Sequence, residues 1–352
     1  MPSLVRSLSH NSGLDALRGI AITLVFLFHA GIQGFSGAFI GVDIFFVLSG
    51  FLITLLLLQE HQTKGKISLR KFYIRRMLRL LPGLMLMLLT YLAYVNFHVG
   101  DSTVKLHELQ DALIALFYAA NWTRAFDLNR PDILGHTWSL SAEEQFYIIW
   151  PLFIRFLLPL SGLLRSLIIA LLFFLSWAWR AYLLSHGASW NRLYNGLDCR
   201  ADMLLAGCLL ASLWNTGYLD FWPNSKLFSR IFVFISFIVL AVMSNTVDWQ
   251  KAPLYLWQYP LVALGTAIII LEIVSLPGGF VNKTLNRKWL VLAGKISYGI
   301  YLWHYPVISQ LKEIRVSTKL QPIVAALLTV FFAVISWYGI ERPCLKLKHR
   351  FK

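Results

Sequence analysis

Long apolar runs alternating with short polar connectors set the pattern of this chain. A helix that crosses a bilayer needs about 20 apolar residues. Such stretches occupy 14–33, 39–58, 77–97, 142–160, 164–184, 199–216, 231–247, 254–275, 289–310 and 321–340. A further run, 109–120, is shorter, follows Glu108 and contains Asp111, which predicts a short helix that does not span. The pattern therefore predicts an all-α integral membrane fold of about ten transmembrane helices. No Pro/Gly/Ser linker, low-complexity tract or short-period repeat divides the chain. The longest polar stretch, 98–141, is too short for a soluble domain, so residues 1–352 are expected to form one transmembrane unit. The first apolar run follows a polar leader with a single Arg and is one of many similar segments, which argues against a signal peptide.

Composition agrees with this reading. Hydrophobic residues make up 57% of the chain and charged residues 14%, with a mean hydropathy of +0.63. A soluble globule usually carries roughly 25% charged residues. Aromatics at 15% exclude disorder. The three cysteines, Cys199, Cys208 and Cys344, are too few for a disulfide scaffold. The net charge of +15 has no polar face to sit on, which excludes a nucleic-acid binder. It is explained instead by sidedness, because cytoplasmic loops collect Lys and Arg. With the N-terminus inside, Arg6, the run Lys64–Arg79, Arg155, Arg165, Lys226, Arg230, Lys283, Arg287, Lys288 and the tail from Arg342 to Lys352 fall inside. That is 20 of the 32 basic residues. Eight fall outside, among them Arg124 and Arg130, and four lie within spans. Both termini are thus expected to be cytoplasmic, in the inner membrane.

Ionisable groups inside a bilayer cost several kcal/mol unless paired or wetted, so each is a candidate for function. Arg18 and His29 are eleven positions apart in the first span. Helical geometry puts them about 20° from one face and roughly 16 Å apart along the axis. Arg18 as a snorkelling anchor and His29 as a packing residue is the plain alternative. Asp43 opens the second span after a short glycine-rich connection. It fits either an N-terminal cap or a carboxylate that orients His29. The stretch His136–Tyr147 leads into the fourth span, where Ser141-x-x-Glu144 reads as a capping box. That assigns Glu144 to the cap and leaves Glu143 for chemistry, on the reasoning that adjacent helical glutamates do not share a pocket. Arg200 and Asp202 are expected to pair with neighbours and hold helices in register. His304 sits in a Tyr/Trp-rich block that suits either an interfacial belt or a stacking wall for a sugar. Arg76 and Arg79, in the inner loop Arg70–Arg79, share a face as a positive-inside anchor or as a fork for phosphates. Glu272 and Lys295 have no assignment.

These elements together resemble the membrane acyltransferase 3 family, the O-acetyltransferase type of bacterial envelopes. The resemblance rests on Leu14-Asp15-Ala16-Leu17-Arg18-Gly19 with Arg18-x10-His29, on Gly41–Leu52 including Asp43 and Ser49, and on Arg76-x-x-Arg79. It also rests on Trp138–Tyr147, Arg200-Ala201-Asp202, the block Ser297–Pro306 and Glu341-Arg342-Pro343. It implies transfer of an acyl group, usually acetyl, from cytoplasmic acyl-CoA to a hydroxyl of an extracytoplasmic glycan or related molecule. It marks Arg18 and His29 as essential and Arg76 and Arg79 as donor-side. Ser49, Arg200, Asp202, Tyr301 and His304 are then acceptor-side or supporting residues. Some members of that family carry an appended extracytoplasmic hydrolase-like domain. Without one, acceptor handling is dispensable or belongs to an accessory envelope protein. No metal or prosthetic group is expected.

The helical spacing agrees with this. An extended pantetheine arm is about as long as the roughly 16 Å from Arg18 to His29. Arg76, Arg79 and Arg18 would hold the phosphate end of CoA, and His29 would deprotonate the acceptor hydroxyl or carry the acyl group itself. Glu143 or Asp43 would orient His29 or the acceptor. A transporter or flippase of an envelope lipid or sugar, and a non-catalytic assembly factor, are the competing readings. The first is separated by release of CoA thiol, the second by loss of activity without loss of expression. O-antigen sugar, exopolysaccharide, peptidoglycan, glycolipid and small metabolites all fit as acceptor. Acyl chains other than acetyl fit as well, and the sequence sets no oligomeric state.

Overall fold

A computed structural model describes residues 11–129, 131–222 and 226–347. Arg6, Arg130 and residues 348–352, which enter the charge count, lie outside the described residues. Among the described residues the regular structure is helical throughout.

The first helix, α1 (Ser12–His29), starts where the Asn11 side chain accepts from the Gly13 N–H at 2.8 Å. It ends four residues before the predicted 33, because Gly31 takes a left-handed φ of +69°. A 3₁₀ turn, Ala38–Ile40, leads into α2 (Gly41–Lys64). The helix α3 runs over Leu69–His98, eight residues earlier than the apolar run. The basic stretch Arg70–Arg79 is therefore helix and not loop. Next come α4 (Ser102–Leu116) and α5 (Ala120–Ala125). The short helix expected at 109–120 thus begins at 102, where Asp101 caps the Thr103 N–H at 2.7 Å.

A 3₁₀ turn, Gly135–Thr137, opens α6 (Trp138–Leu157). It is followed by α7 (Gly162–Ser185), α8 (Trp190–Asn195), α9 (Leu197–Asn215) and α10 (Lys226–Thr246). A π-helical turn, Leu254–Gln258, precedes α11 (Tyr259–Ser275), and α12 (Phe280–Leu285) follows. The ninth predicted span, 289–310, is broken at Ile296 into α13 (Lys288–Lys295) and α14 (Ser297–Glu313). Close packing accounts for the break: a Cβ on Gly294 would lie 1.7 Å from the Asp15 carbonyl oxygen, so α13 is pressed onto α1. Lys295 stands exposed at the break. The chain ends in α15 (Gln321–Ser336), a second π-helical turn at Trp337–Glu341, and α16 (Arg342–Leu347).

Among the described residues, seven helical segments are long and apolar enough to cross a membrane: 12–29, 38–64, 69–98, 162–185, 227–246, 254–275 and 321–347. The other three predicted spans correspond to α6, α9 and α14. Glu143, Glu144 and Arg155 break the apolar run of α6, and Asp198, Arg200 and Asp202 break that of α9. The third, α14, has only 17 residues.

The centre of the bundle is α2 against α9. Cβ atoms on Gly50 or Gly207 would fall 1.9 Å from the Leu204 and 2.0 Å from the Val47 carbonyl oxygens. Such small residues let membrane helices approach backbone to backbone. Two fully buried Arg–Asp pairs tie neighbouring helices to this centre. Arg200 of α9 bonds Asp43 of α2 and the Tyr259 hydroxyl of α11. Arg180 of α7 holds Asp202 of α9 through two contacts of 2.7 Å and donates to the Tyr255 carbonyl at 2.9 Å. Glu272 accepts from the Trp222 indole at 2.7 Å.

Candidate active site

An elongated cavity of about 280 Å³ runs along α2. Its wall there is one helical stripe: Val42, Phe45, Phe46, Ser49, Leu52, Leu55, Leu56 and Gln59. Seventeen residues of α-helix separate the ends of that stripe, about 25 Å. Asn11, Asp15 and Arg18 of α1 line the cavity beside Arg76 and Arg79 of α3. Arg79 lies within electrostatic reach of both Arg18 and Arg76. Arg76 and Arg79 are i,i+3 on α3, so the early start of that helix aims both inward. Arg18 pairs with Asp15 at 3.5 Å, and Arg76 lies over the Tyr147 ring, 4.1 Å from its centroid.

Further along, Ser49 and Tyr147 both donate hydrogen bonds to Oε1 of Glu143. Glu144 also lines the cavity. This corrects two expectations. Ser141 is not an N-cap: the helix starts three residues earlier, and Ser141 Oγ donates to the Thr137 carbonyl at 3.0 Å inside the first turn. Glu144 is therefore free of capping, and both adjacent glutamates border the same elongated space.

The end of the cavity away from Arg18 meets Ser139 and Tyr301. The Tyr301 hydroxyl sits 2.5 Å from Ser139 Oγ and donates to the His136 carbonyl at 2.8 Å. Next to this contact three imidazoles gather: His29 at the end of α1, His136 on the turn before α6, and His304 on α14. Their ring centroids lie 4.9 Å apart for His29–His304 and 5.4 Å for His136–His304, and the Tyr305 ring packs against all three.

The hydrogen bonds fix the tautomers. Nδ1 of His304 lies 2.7 Å from the Tyr301 carbonyl, and Nδ1 of His29 lies 2.9 Å from the Val25 carbonyl. A carbonyl oxygen only accepts, so in each neutral ring the proton is on Nδ1. His304 Nε2, 3.2 Å from His29 Nδ1, is then a second acceptor for the same His29 proton. His29 is left with the lone pair on Nε2, the form a general base requires.

Neither carboxylate expected to orient His29 does so. Asp43 is taken up by Arg200, and Glu143 by Ser49 and Tyr147. The reason is the level at which α2 begins. A Cβ on Gly41 would touch the Ala21 carbonyl, eight residues and about 12 Å below His29 on α1. The Val25 carbonyl and His304 orient the ring instead. Arg200 and Asp202 lie in the two buried pairs, away from the cavity lining. If His304 holds His29, His304→Ala is expected to lower turnover about three- to tenfold, the value of one hydrogen bond. Donor KM should not move; a kinetic series on purified protein checks this.

Residues 11–342 match the acyltransferase domain family Acyl_transf_3. The chain belongs to this acyltransferase family. Its relatives include the O-acetyltransferase OatA of Staphylococcus aureus, 33% identical over 348 residues. That alignment covers 95% of this chain and 57% of the relative. The peptidoglycan O-acetyltransferase OatA of Listeria monocytogenes is 34% identical over 350 residues, covering 95% of this chain and 55% of the relative. The chain spans a little over half the length of these curated relatives. No solved structure matches it.

Placed on the fold, the sequence blocks of this chain fall into two groups. Arg18, Ser49, Arg76, Arg79, Glu143 and Tyr301 line the cavity, while His29 and His304 lie just beyond it. The reading of single residues missed His136, Tyr147 and Tyr305. His136 and Tyr147 are the end residues of the block quoted for Glu143, and Tyr305 follows His304. Their signal was position beside residues already chosen.

Proposed function

We propose that this chain is a membrane O-acyltransferase that moves an acetyl group from acetyl-CoA on the cytoplasmic side to a hydroxyl of an extracytoplasmic glycan. Peptidoglycan, named for the Listeria relative, is the acceptor this reading favours. One observation carries it: a single elongated cavity has three arginines along it and stops beside a histidine cluster. Arginine forks suit the CoA phosphates. The narrow apolar wall of α2 suits the pantetheine arm, with the thioester brought to the Tyr301–Ser139 end.

There His29 Nε2 takes the proton of the acceptor hydroxyl as its oxygen bonds the thioester carbonyl carbon. The tetrahedral adduct collapses by breaking the C–S bond. CoA thiolate leaves and receives the proton held by the His29 imidazolium, so the products are the acetyl ester and CoA thiol. Tyr301 keeps its proton on the His136 carbonyl, so Ser139 is the hydroxyl that can turn from the Tyr301 oxygen to the developing oxyanion. Glu143, Ser49 and Tyr147 hold the middle of the passage.

The test follows two products in purified, reconstituted protein given acetyl-CoA and peptidoglycan fragments. Thiol release should match formation of an ester that mild alkali removes. Transport of a glycan or lipid without thiol release overturns the reading. On the donor side, Arg76→Ala with Arg79→Ala is expected to raise the acetyl-CoA KM by about a hundredfold or more, since each of the two charge-assisted contacts contributes about 1.5–3 kcal/mol. Turnover at saturating donor should change much less. Unaltered donor affinity would remove these arginines from CoA binding.

A further inference from the structure

A second cleft, about 570 Å³, opens between α10, α11 and α12. It lies at the same end of the bundle as Arg18, because Asn11 and Asn282 both donate to the Ile273 carbonyl there. Its α10 wall is a single stripe: Arg230, Val233, Phe234 and Phe237, at i, i+3, i+4 and i+7. The charge is at the end of that stripe nearest the start of α10, and the apolar side chains continue about 10 Å along the axis. Opposite stands Glu272, 3% exposed, three residues from the end of α11. Its Oε2 accepts from Trp222, and Oε1 faces the loop at Gly279, which borders the continuation of the cleft. Arg230 and Glu272 share the cleft without pairing with each other, and Arg230 is exposed with no ion-pair partner among the described residues.

A cation and an anion facing one space, held apart, complement a zwitterion. The apolar stripe leading away from them complements an acyl chain. We propose that this cleft is a specific site for a glycerophospholipid whose headgroup carries both a phosphate and a primary ammonium. The phosphate meets Arg230, the ammonium donates to Glu272, and one chain lies along Val233, Phe234 and Phe237. A phosphatidylglycerol headgroup leaves Glu272 facing neutral hydroxyls near an anion. A choline headgroup has no N–H to give the carboxylate. The site is separate from the acyl-transfer cavity and does not depend on the acyltransferase reading.

The test is native mass spectrometry of the full chain in detergent, offered equal amounts of phosphatidylethanolamine, phosphatidylglycerol and phosphatidylcholine. One phosphatidylethanolamine should be retained at least fivefold over the other two. Arg230→Ala should remove most of that retention. Glu272→Gln, which keeps an acceptor for Trp222, should abolish the preference over phosphatidylglycerol. Melting temperatures of the delipidated variants, equal to wild type, establish that the fold is intact. Equal retention of all three lipids, retention of none, or a preference that survives both substitutions overturns the proposal.

Discussion

His29→Ala is expected to lower acyl transfer about 10²- to 10⁴-fold, the usual contribution of a positioned general base. The size follows from how completely the ring is prepared. Its Nδ1 proton is committed to the Val25 carbonyl and to His304 Nε2, which leaves only Nε2 to take the acceptor proton. Solvent is a poor substitute at a position packed against Phe28, His304 and Tyr305. Binding of acetyl-CoA should be unchanged, because Arg18 lies eleven residues away on the same helix, about 16 Å. Calorimetry with acetyl-CoA and a steady-state thiol assay on the same preparation separate the two quantities. Near-normal turnover in the purified variant would end the role of His29 as base.

The largest effect on stability is expected at Arg200. Its guanidinium bonds Asp43 and the Tyr259 hydroxyl and is ringed by Phe46, Trp138, Tyr194 and Tyr259 at 4.0–5.9 Å. Both partners of the pair are fully buried. Removing one partner of such a pair leaves an uncompensated charge and destabilises by about 3–5 kcal/mol. Arg200→Ala should therefore lower the melting temperature in detergent sharply. Arg200→Lys should rescue little, because an ammonium cannot span Asp43 and Tyr259 as a planar fork does. The double variant Arg200→Met with Asp43→Asn should recover part of the loss, since neither charge then stays unpaired. A double variant less stable than Arg200→Ala would show that the pair does not act through mutual neutralisation.

The two predictions also mark what the sequence could and could not convey. That α1 would carry Arg18 and His29 on one face follows from helical spacing, and apolar length located α2, α3, α7, α10, α11 and α15. That Arg200 would find Asp43 does not follow, because 157 positions separate them and the pairing depends on how α2 and α9 cross. Asp43 was a sensible candidate for orienting His29 because the connection between their helices is short. The connection nonetheless descends two turns alongside α1 before α2 begins, which local sequence does not encode. The capping box failed for a similar reason. A Ser-x-x-Glu pattern reads the same whether a helix starts there or one turn earlier, and the start at Trp138 is set by Tyr301 gripping the His136 carbonyl from another helix. His304 reached His29 through the α1–α14 contact, so its role became visible only once the two helices were side by side.

The Tyr301–Ser139–His136 contact has a further consequence for a protein embedded in an energised membrane. A transmembrane potential of 100 mV drives each elementary charge with about 2.3 kcal/mol. A channel wide enough for a pantetheine arm and open from end to end would dissipate that potential. Here the cavity stops at a buried tyrosine–serine contact, and a substrate filling it from one side would serve as its own stopper. On the proposed mechanism, a two-carbon unit passes between compartments by being handed across a seal, with no open path for ions.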